Sequence, residues 1–126
     1  VARRWLVDGM NVIGSRPDGW WRDRHGAMVR LVELLERFAT ASGEEVAVVF
    51  EKPPSPPIAS ATVEVAHAPR GGPDAADEEI VRILHADPDP DGIRVVTSDR
   101  RLAVQACAAG AAVEAAAPFR ARLEEL

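Results

Sequence analysis

Three short apolar runs in this chain each end on a carboxylate. Trp5-Leu6-Val7 leads into Asp8, Val46-Ala47-Val48-Val49-Phe50 into Glu51, and Ile93-Arg94-Val95-Val96-Thr97-Ser98 into Asp99. Runs of this length, rich in β-branched residues and bounded by turn signals, read as buried strands. Segments with helical spacing lie between them, and that alternation selects a parallel sheet covered on both faces. Such sheets bind ligands outside the carboxyl ends of their strands. The three acids therefore share one edge and read as one acidic site. A carboxylate at the mouth of a central strand is costly unless it is hydrated, paired or bound to a cation.

The elements follow from the same signals. Strands are expected near residues 4–8, 46–51, 62–66, 93–98 and 112–114, with the third nearest the sheet edge. Gly9 is read as a tight turn after the first strand. A polar loop from Ser15 to Asp23 leads into a helix ending near residue 41. Its Met28, Leu31, Val32, Leu35, Phe38 and Ala39 form an apolar stripe, and Gly43 is placed as its cap. Lys52-Pro53-Pro54-Ser55-Pro56-Pro57 cannot extend a ladder and reads as a stiff exposed loop. Pro73 marks the entry to a helix over Asp74–Ala86. A fourth-strand helix runs from Arg100 to Ala109. Pro118 is expected to open the last helix, with Phe119, Leu123 and Leu126 on one face.

At 126 residues the chain reads as one domain over 1–126, with a composition typical of a soluble globule. It has no apolar run of membrane-spanning length, and Val1-Ala2-Arg3-Arg4 is too short for a signal segment. Cys107 is the single cysteine, so no intrachain disulfide forms, and a cytoplasmic setting is expected. Its helical neighbours Ala103, Val104 and Ala108 point to a buried, inert thiol. The net charge of −5 argues against a general nucleic-acid-coating protein. Its distribution is uneven. Residues 1–40 carry seven Arg against five acids, and residues 71–99 carry two Arg against eight acids.

Asp74, Asp77 and Glu78 stand at i, i+3 and i+4 on one helical turn that starts at the same sheet edge. Acids also favour helix N-termini for the dipole alone, and Ser98 or Asp99 has an ordinary role as a cap. Asp8 has no such role, because the turn after it is not read as a helix start. The case for a site rests on convergence. Clustered carboxylates repel, and a hard ion such as Mg²⁺ relieves that with a few oxygen ligands and retained waters. Asn11 offers a neutral oxygen or a water-orienting group. Thr97 and Ser98 offer hydroxyls to a water or phosphate, or to local backbone bonds. His25, His67 and His85 are too dispersed for a zinc site, and no phosphate-cradling glycine motif is present.

Leu6-Val7-Asp8-Gly9-Met10-Asn11-Val12-Ile13 resembles the opening of NYN domains, particularly the YacP-like branch of the PIN-like nuclease superfamily. The resemblance continues through Val48-Val49-Phe50-Glu51, Ala76-Asp77-Glu78-Glu79-Ile80 and Val96-Thr97-Ser98-Asp99-Arg100, then Ala109-Gly110-Ala111 and Phe119. It implies a three-layer α/β/α PIN-like fold with a central, mostly parallel five-stranded sheet. It also implies metal-dependent ribonuclease activity or RNA binding. Asp8, Asp77 and Asp99 correspond to the metal-binding acids, with Mg²⁺ or Mn²⁺ as the ion, and Asn11 to their polar partner. Asp74, Glu51 and Glu78 are additional acids in reach. The chain departs from the branch at Phe50-Glu51-Lys52, where Phe-Asp-Gly is usual.

On that reading RNA crosses the acidic notch. Arg100, Arg101 and Arg70, with Arg16, Arg22 or Arg24, would neutralise flanking phosphates, and Trp20 or Trp21 would stack bases. RNA is the expected partner, with a ribosome or other RNA-processing partner and the oligomeric state left open. Three other readings compete: a non-catalytic RNA- or protein-binding module, a haloacid-dehalogenase-type phosphatase, and a purely structural domain. The phosphatase class needs a second acid two residues after the first, where this chain has Met10.

Overall fold

A computed structural model describes residues 3–126. Val1 and Ala2, at the start of the segment read as too short for a signal, lie outside the described residues. The strands are β1 (Arg4–Asp8), β2 (Glu45–Phe50), β3 (Val63–His67), β4 (Ile93–Val96) and β5 (Ala112–Glu114). They form one sheet in the order β3-β2-β1-β4-β5, and every pairing is parallel. The helices are α1 (Gly9–Gly14), α2 (Arg24–Ser42), α3 (Ala75–Ala86), α4 (Arg100–Ala108) and α5 (Ala116–Glu124). No helix among the described residues is long and apolar enough to cross a membrane.

The central strands β1, β2 and β4 are buried on both faces, which explains their nearly continuous apolar runs, while the edge strands β3 and β5 are partly exposed. On one face α1, α2 and α5 pack over Trp5, Val7, Val48 and Phe50. Trp5 anchors this layer, stacked on Phe119 with centroids 5.4 Å apart and edge-on to Phe38 at 5.1 Å. On the other face Ile80, Leu84, Leu102 and Ala106 of α3 and α4 cover Leu6, Val49 and Val95. The result is the three-layer α/β/α arrangement. β1 is central, and β3 and β5 are the edges.

The stripe of α2 is core as expected, and Ala27 and Leu34 join it. Asp23 caps this helix by accepting the Gly26 N–H at 2.9 Å, and Gly43 ends it with φ of 71°. Four local expectations are corrected. The chain does not simply turn at Gly9 but enters α1 there, so Asp8 does occupy a helix N-cap position. Gly9 is required by space: an added Cβ would lie 2.5 Å from the Phe50 ring. Cys107 is exposed, because α4 buries Leu102 and Ala106 and turns Val104 and Cys107 outward. α5 starts at Ala116, before Pro118, and Leu126 lies beyond its end and is exposed.

Candidate active site

The strand order reverses between β1 and β4, since β1 leads outward to β2 and β3 while β4 and β5 lie on its other side. A crevice at such a switch point is the usual ligand site of an open parallel sheet. Asp8 ends β1 at that crevice and is only 5% exposed. The turn after β4 supplies its neighbours. Thr97 Oγ1 donates to Asp8 Oδ2 at 2.9 Å and accepts the Asp99 N–H at 3.1 Å. Asp99 Oδ1 accepts the Leu102 N–H at 3.0 Å and so caps α4.

The same turn is tied to two further elements. Asn11 Oδ1 accepts the Ser98 N–H at 2.8 Å, and Ser98 Oγ accepts the Ala116 N–H at the start of α5. The Asn11 oxygen, expected to face a metal or water, is thus engaged in holding the turn. Thr97 and Ser98 likewise hold structure rather than wait for phosphate. The 97–99 turn is fixed from four sides, by β1, α1, α4 and α5.

Asp77 stands in the first turn of α3, and Asp74 makes no side-chain capping bond there. Capping therefore does not account for these two acids. Burial pushes the Asp8 carboxyl from 3.8 up to about 7, and the charges of Asp77, Asp99 and Glu51 add to it against the Thr97 hydrogen bond. Asp77 is pushed up to about 6, by burial first and then by Asp99 and Asp74, with Arg101 opposing and Glu51 adding. The structure thus gathers Asp8, Asp77, Asp99, Glu51 and Asp74 into one electrostatic cluster, with Arg101 beside it. Glu78 shares a small cleft of about 210 Å³ with Asp74, Asp77, Arg101 and Gln105.

Other expected residues lie elsewhere or are engaged. Arg16 is ion-paired with Glu124. Trp21 and Arg22 form a cluster of their own with Trp20 on the loop between α1 and α2. Arg70 is exposed on the turn before α3, and Arg100 is exposed at the start of α4. Among the described residues, Arg24, Lys52, Arg70, Arg100 and Arg101 enter no ion pair.

The helices α1, α3, α4 and α5 begin at this edge, so positive dipole ends surround the acids. Their field lowers the cost of negative charge without cancelling the burial of Asp8. Among the described residues, no three His, Cys, Asp or Glu side chains stand close enough to form a ready-made metal cage. The donors facing one another are all oxygens. That set fits a hard cation that keeps much of its own water shell and does not fit a four-coordinate zinc.

A parallel three-layer α/β/α domain with carboxylates gathered at its switch point is the arrangement that the resemblance to PIN-like domains implies. Its sequence places it more narrowly: the chain belongs to the YacP-like NYN domain family, whose profile matches residues 5–126. Two crystal structures of Rae1 (YacP) from Bacillus subtilis share the fold. One, of a mutant form, superposes with a TM-score of 0.81 at 25% identity, covering 97% of this chain and 75% of that one. The other gives 0.77 at 26% identity, covering 96% and 73%. No curated protein matches the sequence.

Proposed function

We propose that this domain is a divalent-metal-dependent endoribonuclease that hydrolyses RNA phosphodiester bonds at the acidic notch. One observation carries the reading: Asp8 is buried at the switch point, and the side-chain charges that act on it, those of Asp77, Asp99 and Glu51, are all negative and raise its pKa further. Such an arrangement is unfavourable for stability alone and suits the capture of a positive charge. Bound Mg²⁺ or Mn²⁺ would activate water and offset charge on the phosphoryl transition state.

The chain's own residues divide the work. Asp8, Asp77 and Asp99 would hold the ion or its waters, with Glu51 and Asp74 adding negative potential. Thr97 fixes the orientation of Asp8 by donating to Oδ2. Asn11 is a positioning residue that sets the 97–99 turn through the Ser98 N–H. Arg100 and Arg101 neutralise phosphates on either side of the scissile bond. The lone cysteine fits work in the reducing cytoplasm.

The test is cleavage of structured, single-stranded and ribosome-associated RNAs with Mg²⁺, Mn²⁺ or EDTA. Asp8→Asn and Asp99→Asn are expected to lower the metal-dependent rate by at least about 10²-fold. Both variants should fold, since Asn accepts the Thr97 hydroxyl and caps a helix as well as Asp does. Cleavage that survives both substitutions in EDTA would sink the proposal. RNA binding without turnover under any ion would leave a binding module instead.

A further inference from the structure

A second concavity adjoins the acidic notch, between α1, the start of α2 and the proline-rich loop after β2. Its volume is about 320 Å³, at the small end of the range of about 300–1,000 Å³ usual for small-ligand clefts. We propose that it is a base subsite, receiving one unstacked nucleobase of a single-stranded RNA that lies across the notch. This rests on the RNA-cleaving reading above and extends it to how the strand is held.

Continuity with the notch is the first argument. Glu51 lines the cleft and also raises the pKa values of Asp8 and Asp77. Met10, two residues after Asp8, lines it from α1. A strand whose phosphate sits at Asp8 therefore has its neighbouring base within reach of the cleft.

The lining chemistry is the second argument. Met10, Met28 and Phe50 give an apolar floor. Methionine thioethers are polarizable and adapt to a flat aromatic ring without demanding one sequence. The cations Arg24 and Lys52 stand on the rim, with His25 beside them. Neither Arg24 nor Lys52 is ion-paired among the described residues, and the Arg24 guanidinium lies over the Trp20 ring at 5.1 Å. Stacking places that guanidinium while leaving its N–H groups for a phosphate. An apolar floor with a cationic rim matches a nucleotide, whose base is flat and whose linkage is anionic.

The wall is preorganised, which is the third argument. Pro53 and Pro54 line the cleft in a loop that also contains Pro56 and Pro57. His25 Nε2 lies 2.8 Å from the Pro56 carbonyl oxygen and, in the tautomer protonated there, ties the loop to α2. A stiff wall loses little freedom on binding. The Lys and the prolines after Glu51 then have a use beyond stiffness: they form one side of a base cleft.

The experiment uses single-stranded RNA bearing 4-thiouridine, bound in EDTA so that no cleavage occurs. Photo-crosslinked peptides are mapped, and affinities of wild type and Arg24→Ala/Lys52→Ala are followed against salt. Crosslinks are expected at Met10, Met28 or residues 52–55. The double variant should bind more weakly, and its salt dependence should be shallower by about 1.4 in log–log slope, about 0.7 per lost phosphate contact. Duplex RNA of the same sequence should not crosslink there. RNA binding with crosslinks elsewhere and an unchanged slope would overturn the subsite and leave the nuclease reading standing. Absence of RNA binding by the wild type at low salt would overturn both.

Discussion

At the amino end of the sheet, Arg3 and Arg4 meet Asp87, Asp89 and Glu64 in a connected set of ion pairs. At the carboxyl end, the charges of Asp77, Asp99 and Glu51 act against that of Asp8, while Arg24, Lys52, Arg100 and Arg101 enter no ion pair among the described residues. The residue types are the same, and the pairing is opposite. The Asp89 backbone N–H, and after it Arg3 and Arg4, hold the Asp87 carboxyl below its usual 3.8, whereas burial and like charges push Asp8 up to about 7. One end is arranged for stability. The other keeps its charges separate, at a cost to stability, in a form that a cation and a polyanion can satisfy together.

The largest effect expected from this contrast is on folding stability without divalent ions. The folded pKa of Asp8 is raised, so its contribution is fully present below 3.8 and is lost as pH rises through about 7. A shift of this size corresponds to an upper bound of about 4 kcal/mol. Asp8→Asn, which removes the charge but retains an acceptor for Thr97, should melt higher than wild type by roughly 10 °C at pH 8 in EDTA. The two curves should converge near pH 4. Equal melting temperatures at pH 8 would mean that the carboxyl end is not strained by its charges.

Metal should reverse that penalty, which is the next largest expectation. Mg²⁺ or Mn²⁺ at 100 times its dissociation constant would stabilise the fold by about 2.7 kcal/mol. The gain should be larger at pH 8 than at pH 5, since protonated Asp8 and Asp77 compete with the cation. Calorimetric melts of wild type and Asp8→Asn with each ion check this. A gain equal in both proteins would place the ion away from the notch.

Arg101 gives a smaller, two-sided test. Its charge lowers the Asp77 pKa, and it is proposed to contact phosphate. Arg101→Ala should flatten the salt dependence of single-stranded RNA binding by about 0.7. It should also move the Asp77 carboxyl further up, readable by NMR titration. An unchanged Asp77 titration would remove Arg101 from the cluster.

The amount of this contrast that was legible in the sequence depended on distance along the chain. Strand-end acids announce themselves locally, because an apolar run and its terminating carboxylate are adjacent. Asp8, Glu51 and Asp99 are therefore legible as strand-end carboxylates, and parallel alternation supplies their shared edge. The Thr97–Asp8 hydrogen bond spans 89 residues and has no local signal. The six residues of α1 show too little periodicity to separate a helix from a turn. Cys107 was misplaced because α4 is rich in alanine, and small apolar residues fit either side of a helix. The ion pairs at the amino end were equally silent, since Arg3 and Asp87 are separated by 84 residues.

Those ion pairs supply the smallest and most diagnostic test, because its pH dependence runs opposite to that of Asp8. The Asp87 carboxyl accepts the Asp89 N–H at 2.8 Å and pairs with Arg3 at 2.7 Å, and both lower its pKa. A lowered folded pKa gives stability that is present above 3.8 and lost as pH falls through the depressed value. Asp87→Asn should therefore melt below wild type at pH 7, and the gap should close on acidification. Exposed pairs contribute little, so the shift should be a few degrees at most, and high salt should shrink it. Acid thus removes the Asp87 gap by weakening the wild type and the Asp8 gap by strengthening it. Parallel pH profiles for the two variants would mean that the ends of the sheet do not differ as their charges imply.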